Sequence, residues 1–263
     1  MLFPDHLVVV RGGGDLATGV AYRLHHAGFP ILILELAQPL AIRRTVALSS
    51  AVLEGHIRVE DITARSVESV DEARRTARTG EIPVLISPEL PDVGRSAVID
   101  ARMAKRNIDT TLTDAPLVVG LGPGFVAGLD CHAAIETARG HQLGRVLWSG
   151  PTAPNTGVPG TVGGRSADRV LRAQTSGIVE WEVAIGDIVD SGQLLGRIGD
   201  SPIAATISGV VRGLLTPGLD VASGTKIGDI DPRGDPSACF QISDKALAIG
   251  GGAVEAVLTW LDR

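Results

Sequence analysis

Arg11-Gly12-Gly13-Gly14-Asp15 follows directly on an apolar run, Leu7 to Val10, and opens a stretch with helical spacing. Gly12-x-Gly14-x-x-Ala17 fits the G-x-G-x-x-G/A pattern of loops that hold a pyrophosphate. Gly12 permits a tight turn. Gly14 lets the backbone come close to a phosphate, which would rest on the N–H groups at the helix start. Ala17 lets the helix pack close to the strand. Gly13, Asp15 and Thr18 complete the candidate loop. Glu35, at the end of the next apolar run, is placed to bond a ribose hydroxyl. Asp15 is out of keeping, because a carboxylate repels an anion unless it caps the helix or holds a cation. The plain alternative is a Gly-rich turn with Asp15 as N-cap.

Other residues add to this chemistry. Arg43 and Arg44 follow the second apolar run and could reach a second phosphate on the same ligand, or be ordinary solvated arginines. Asp100, Arg102, Lys105 and Asn107 lie at and beyond the end of a further strand, where open α/β sheets bind ligands. A charged loop of mutual salt bridges is the competing reading. Gly122-Pro123-Gly124 places small residues at another strand end. Cys131 and His132 form the chain's one Cys/His neighbour pair. A nearby cation would lower the thiol pKa and make Cys131 a nucleophile or sulfur carrier, with His132 beside it. The alternative is a small buried hydrophobe next to a hydrogen-bonded histidine.

The elements that must position these residues read as strand, loop, helix, strand. Leu7–Val10 and Pro30–Glu35 are strands flanking a helix of Leu16, Val20 and Leu24, closed by Gly28. Val67–Arg78 reads as a charged surface helix. Ile82–Ile86, Ala97–Asp100 and Pro116–Leu121 read as further strands, and Val146–Trp148 as the last. The expected class is α/β, a Rossmann-like parallel sheet joined to a smaller β-rich module. The tail from Ile242 to Leu261 reads as a helix that starts near Gly250-Gly251-Gly252.

Composition sets the bounds. With 263 residues, 44% hydrophobic and 21% charged, the chain has material for a core, so wholesale disorder is excluded. Aromatics are 3%, so that core is aliphatic. A net charge of -6 argues against nucleic acid as a partner. Two cysteines make neither a disulfide framework nor a cysteine-only zinc site, and no metal site is expected. The uncharged run Val146–Gly164 is too rich in Gly, Pro, Ser and Thr for a membrane span, and the first residues lack a signal-peptide pattern. The expectation is a cytoplasmic protein that binds no membrane, and the reading admits a homo-oligomer.

A repeat fills the C-terminal third. Ser176-Gly177-Ile178-Val179 recurs as Ser208-Gly209-Val210-Val211. Gly186, Val189, Ser191 and Gly192 recur as Gly218, Val221, Ser223 and Gly224, all about 32 residues on. SGIVEWEVAIGDIVDSGQLLGRI resembles the barrel-sandwich hybrid of biotinyl and lipoyl carrier domains. Its hairpin, Gly199-Asp200-Ser201-Pro202, lacks the modifiable lysine of those carriers, so an interface or structural role is expected. The domains expected are residues 1–150 for the cofactor, 151–164 as linker, 165–235 as the β module and 236–263 as a helix packing back.

Seven segments together resemble one family: VVVRGGGDLATGVAYRL (8–24), IRRTVALSSAVLEG (42–55), IDARMAKRNIDT (99–110), LGPGFVAGLDCHAAIETARGHQLGRV (121–146), PGTVGGRSADRVLRA (159–173), KIGDIDPRG (226–234) and ISDKALAIGGGAVEAVL (242–258). They are similar to the YqeB family of accessory proteins of selenium-dependent molybdenum hydroxylase systems. The resemblance implies help in maturing an apo-molybdenum hydroxylase, alone or with other maturation proteins, and a molybdopterin-type cofactor as the phosphate-bearing ligand. In that context Cys131 could carry sulfur or selenium as a persulfide-like adduct. Two other functions stay open. One is an oxidoreductase using an NAD-like dinucleotide, although the only tyrosine, Tyr22, lies in the first helix and no Tyr-x-x-x-Lys pair exists. The other is a non-enzymatic adaptor docking through the β module.

Overall fold

The computed structural model describes residues 1–157 and 162–263. They divide into two compact units. One comprises Met1–Pro39, Ala47–Thr156 and Ile242–Arg263, the other Leu40–Val46 and Gly157–Gln241. Of the expected linker, residues 158–161 lie outside the described residues.

In the first unit the chain runs β1 (Val8–Arg11), α1 (Asp15–His26), β2 (Ile31–Glu35), α2 (Ala51–Glu54), β3 (His56–Val59), β4 (Ile62–Val67), α3 (Val70–Arg78), β5 (Ile82–Ile86), β6 (Ala97–Asp100) and β7 (Leu117–Leu121). It continues through β8 (Val126–Ala127), β9 (Ala133–Ile135), β10 (Val146–Leu147) and β11 (Gly150–Pro151). Nine of these strands form one mixed sheet in the order β10-β9-β7-β6-β1-β2-β5-β4-β3. The run from β9 to β4 is parallel throughout, and the edge strands β10 and β3 are antiparallel. The short β-branched runs are strands because both faces are covered: Val8, Val9, Val10, Val98, Ile99, Val118 and Val119 are fully buried. The α/β class therefore stands as a large, mostly parallel sheet together with smaller antiparallel sheets.

Strand order reverses at β1. After β2 the chain passes to the edge strand β3, comes back inward through β4 and β5, and then crosses to β6 on the other side of β1. In open sheets the crevice at such a switch point, beyond the carboxyl ends of the strands, is where ligands bind. Arg11 stands beside Asp100 in the register there.

Two expectations about helices need correction. Val67 belongs to β4, and α3 begins at Val70, where the Ser69 hydroxyl accepts the Glu72 N–H at 3.2 Å and Glu72 accepts the Glu68 N–H at 2.8 Å. The C-terminal helix, α4 (in its own range Asp244–Leu261), starts six residues before Gly250, with Ser243 accepting the Ala246 N–H at 3.1 Å. The three glycines are interior. A Cβ on Gly250 would overlap Gly19 O, and one on Gly19 would overlap Ala246 O. Gly250 also meets Arg23, one turn after Gly19, so α1 and α4 run side by side in the same direction. Gly252 is pressed in the same way against Gly144 O, whereas Gly251 faces open space. Close packing here outweighs the ~1 kcal/mol that each helical glycine costs.

The second unit contains β12 (Val170–Arg172), β13 (Gly177–Trp181), β14 (Ile188–Val189), β15 (Leu194–Ile198), β16 (Ser201–Ala204), β17 (Gly209–Leu214), β18 (Asp220–Val221) and β19 (Lys226–Asp231). The repeat is structural. β14 of the first half pairs with β17 of the second, and β18 of the second pairs with β13 of the first. Hydrogen bonds recur at equivalent places: Gly186 N–H to Val211 O and Gly218 N–H to Val179 O, both 2.8 Å, and Ser191 N–H to Ser208 Oγ and Ser223 N–H to Ser176 Oγ, at 2.9 and 3.1 Å. Val179 and Val211, Val189 and Val221, and Leu195 and Ile227 share one core. Residues 236–241 group with this unit.

Glycine packing gives a direct test. Gly250→Ala is expected to destabilise the protein by about 1–3 kcal/mol, the usual range for overpacking. Gly251→Ala, one position on, should be neutral or stabilising by up to about 1 kcal/mol, since its Cβ meets nothing. Urea unfolding of the two variants reads the difference.

Candidate functional site

At the carboxyl edge of the parallel strands the three glycines after β1 have three different settings. Gly12 has φ +91°, and a Cβ would lie 3.1 Å from Arg102 Cα. Gly13 has no room: a Cβ would lie 2.8 Å from Ser49 N. Its N–H donates to Glu35 Oε1 at 3.0 Å, and its carbonyl accepts the Ser49 N–H at 2.8 Å. Gly14 differs. It has φ -66°, open to any residue, and no atom lies within 4 Å of where its Cβ would be. Gly12 and Gly13 are thus required by the fold. Gly14 faces open space at the first turn of α1, and no side chain of the N-cap residue bonds that turn.

The loop is fixed from both sides. Thr18 is fully buried, its hydroxyl donating to Gly14 O and accepting the Leu48 N–H, each at 3.0 Å. Ala17 is buried as α1 packs on the sheet. Glu35 accepts the N–H of Leu36 at 2.6 Å besides that of Gly13, so its carboxylate braces the loop. Asp15 is not a side-chain cap; α1 has Gly14 at its N-cap and no side-chain hydrogen bond there. Lys245, in the first turn of α4, lies within electrostatic reach of Asp15.

Beside the loop lies an ionic network. Asp100, buried, accepts Arg102 Nη2 at 2.6 Å and the Thr110 hydroxyl at 2.7 Å. Arg102 also donates to Asp109 at 2.7 Å. Asp109 in turn takes the buried Arg11 at 2.8 Å. Asn107 pins Thr110 through its carbonyl and its N–H. Burial raises the Asp109 pKa, but hydrogen bonds from Arg11 and Arg102 outweigh it and hold the carboxyl below its usual range. Two cations and two anions balance, which is the salt-bridge reading of this loop. Lys105 is exposed on it, with φ +63°.

The structure does not bring the remaining candidates to this edge in a reactive form. Arg43 and Arg44 belong to the second unit. Arg43 Nη2 donates to Ala238 O and Gln241 O at 3.0 Å, and Arg44 Nε to Leu214 O at 2.8 Å. Gly122 and Gly124, at φ +71° and +104°, admit the chain itself: their Cβ positions overlap Thr137 Oγ1 and Arg106 Cα. Cys131 is fully buried among Val9, Val118, Phe125 and Ala134, and burial pushes its thiol up to about 11. His132 Nδ1 accepts the Val118 N–H at 2.9 Å, and burial lowers its pKa. The pair matches the alternative of a packed thiol beside a hydrogen-bonded histidine. No cation lowers this thiol, and its burial is the opposite of a sulfur carrier's exposure.

Sequence reasoning passed over Lys245, Glu136 and Ser49. Glu136 is buried, its oxygens accepting the N–H groups of Ala138 and Ala153 at 2.6 Å each. Ser49 is fully buried and its hydroxyl has no hydrogen-bond partner among the described residues. Among those residues no group of three His, Cys, Asp or Glu could hold a metal ion, and no helix is long and apolar enough to cross a membrane.

The thiol environment is directly testable. At pH 8 a thiol of pKa about 11 is only ~0.1% thiolate. Cys239 is also fully buried with a raised pKa. Ellman's reagent should find no thiol in the folded protein at pH 8 and two in guanidinium chloride. Rapid labelling of Cys131 in the folded chain would refute its burial.

Comparison with known proteins adds context. No family model matches the chain. Among solved structures, an aspartoacylase family protein from Mesorhizobium loti is 12% identical, with 86% of this chain and 84% of that one covered, at a TM-score of 0.27. The ectoine utilization protein EutE (DoeB) from Ruegeria pomeroyi, with product bound, is 14% identical, with 85% and 56% covered, at 0.25. Scores this low do not establish a shared fold. The uncharacterized protein YqeB of Escherichia coli (strain K12) is 48% identical over 266 residues, 98% of this chain and 49% of that protein. The chain spans about half the length of the curated relative it matches. Identity at this level over nearly the whole chain supports its likeness to YqeB.

Proposed function

We propose that the chain is an accessory protein of a molybdenum hydroxylase system, and that it binds a phosphate-bearing cofactor on the Rossmann-like edge formed by Gly12 to Asp15. The cofactor would be a molybdopterin-type pterin or its nucleotide-extended form, and the chain would assist its modification or insertion into an apo-hydroxylase. The observation that carries the reading is Gly14. It is a glycine that neither φ nor packing requires, on a loop where Gly12 is required by its φ of +91° and Gly13 by want of room. Open space over the first turn of a helix is what a phosphate needs. The segments shared with the accessory family supply the context of a molybdenum cofactor. Hydride transfer from a nicotinamide has less support, because Glu35 is engaged by the Gly13 and Leu36 N–H groups and Cys131 and His132 are packed away.

Native mass spectrometry of protein purified from cells that make molybdenum cofactor, followed by denaturing extraction, tests this. A pterin or a nucleotide-extended pterin is expected. Release of NAD would favour the oxidoreductase instead, and a bare chain that takes up neither ligand would leave the adaptor. Gly14→Glu should fold as the wild type does and yield no ligand, since its carboxylate would stand where the phosphate rests.

A further inference from the structure

The amino ends of the parallel strands, opposite the edge of the Gly-rich loop, hold a cavity of about 430 Å³. Small-molecule sites span about 300–1,000 Å³. Strand register and side-chain size account for the space. β2 pairs with β1 from Ile31 onward, but with β5 only from Ile33 opposite Val84. Pro83, one residue earlier in β5, has no N–H to continue that ladder. α3 covers this corner with short side chains. Ala73 and Ala77, one turn apart, line the cavity from the helix, and neither is large enough to fill it.

The sheet side is aliphatic. Ile31 and Leu32, both buried, form it together with Leu7 and Pro83. A void walled by carbon loses the dispersion contacts that a filled one makes, and water inside finds few polar partners. The charged groups that line the cavity are three, all exposed at its mouth: Arg74 and Arg78 from α3, and Asp5 from the segment before β1. Arg74 donates to Asp71 at 3.3 Å, an exposed pair of the kind that contributes little. The Arg78 guanidinium has no hydrogen bond or ion pair among the described residues. Two guanidinium groups against one carboxylate leave the mouth net positive.

We propose that this cavity binds an organic monocarboxylate with an aliphatic body. The alkyl chain lies between α3 and the amino ends of β2 and β5, and the carboxylate meets Arg78 and Arg74. A guanidinium presents a planar fork that fits a carboxylate through two parallel N–H groups. Asp5 disfavours a second negative charge at the same mouth. The proposal does not rest on the phosphate reading. The two sites lie at opposite ends of the strands, so either can fail alone.

The probe is octanoate, titrated into the whole chain by calorimetry. It should bind, with octylamine and octanedioate each at least about tenfold weaker. The variant carrying both Arg74→Gln and Arg78→Gln alters only exposed side chains, so it should fold as the wild type does. It should lose at least about tenfold in octanoate affinity, the scale of one charge-assisted hydrogen bond. An octanoate analogue with a diazirine at its far end places the ligand. After irradiation, mass spectrometry should find the label on α3, on residues 1–7, on residues 30–32 or on residues 83–94. Failure of octanoate to bind overturns the proposal, and so does a label outside those segments. Octylamine bound as tightly as octanoate, or undiminished octanoate affinity in the double variant, overturns it as well.

Discussion

The contact of α1 with α4 through Gly19 and Gly250 is the constraint on which the carboxyl edge of the sheet depends. Each glycine sits against a backbone carbonyl of the other helix, so no side chain separates them. Helices this close have little freedom to slide or rotate, because a step of one residue would put a Cβ where a carbonyl lies. Their direction is fixed by the β1–α1–β2 unit on one side and by the Gly252–Gly144 contact on the other. As a result α4, distant in sequence, begins where α1 begins.

Parallel helices placed that way have an electrostatic cost. Their positive ends adjoin, each worth roughly half an elementary charge. Asp15 and Asp244, one in each first turn, offset that cost. Arg139 then balances Asp244 across 105 residues of sequence, and Lys245 lies within electrostatic reach of Asp15. Near the switch point, charge is also closed off pair by pair, as in the Arg11–Asp109–Arg102–Asp100 network. The conspicuous charges of the 100–110 loop are therefore engaged with one another, while Gly14 faces open space at the first turn of α1.

Much of this was legible in the sequence. The β-branched runs, the helix of Leu16, Val20 and Leu24, and Gly28 at its end, which has φ +90°, mark β1–α1–β2 without ambiguity. The two-fold repetition of the second unit was legible in glycines and serines that recur at one offset, whereas the exchange of strands between its halves was not. The rest failed for physical reasons. Gly250-Gly251-Gly252 reads as a helix start because glycine is a poor helix former; only the partner surfaces of Gly19 and Gly144 show why it lies inside α4. Cys131 beside His132 reads as a reactive pair because adjacency in sequence does not show that one side chain enters the core while the other turns to the Val118 N–H. Arg43 and Arg44 follow β2 in sequence, yet they serve carbonyls of residues 170 to 198 positions later.

Glycine therefore means different things at neighbouring positions, and spacing alone does not separate them. Gly12 is required for its left-handed backbone, Gly13 for want of room, and Gly122 and Gly124 because Thr137 and Arg106 come too close. The motif matches at Gly12, Gly14 and Ala17, but the fold explains only Gly12 and Ala17. A glycine in ordinary backbone geometry with empty space before it contributes nothing to packing, and at a helix N-cap Ser, Thr, Asn or Asp would stabilise the helix at least as well. Those residues would also fill the space above the first-turn N–H groups with a side chain that accepts their hydrogen bonds itself. Gly14 supplies no such side chain, so α1 starts without a side-chain cap at its N-cap residue, and neither the backbone geometry nor the packing at that position asks for glycine.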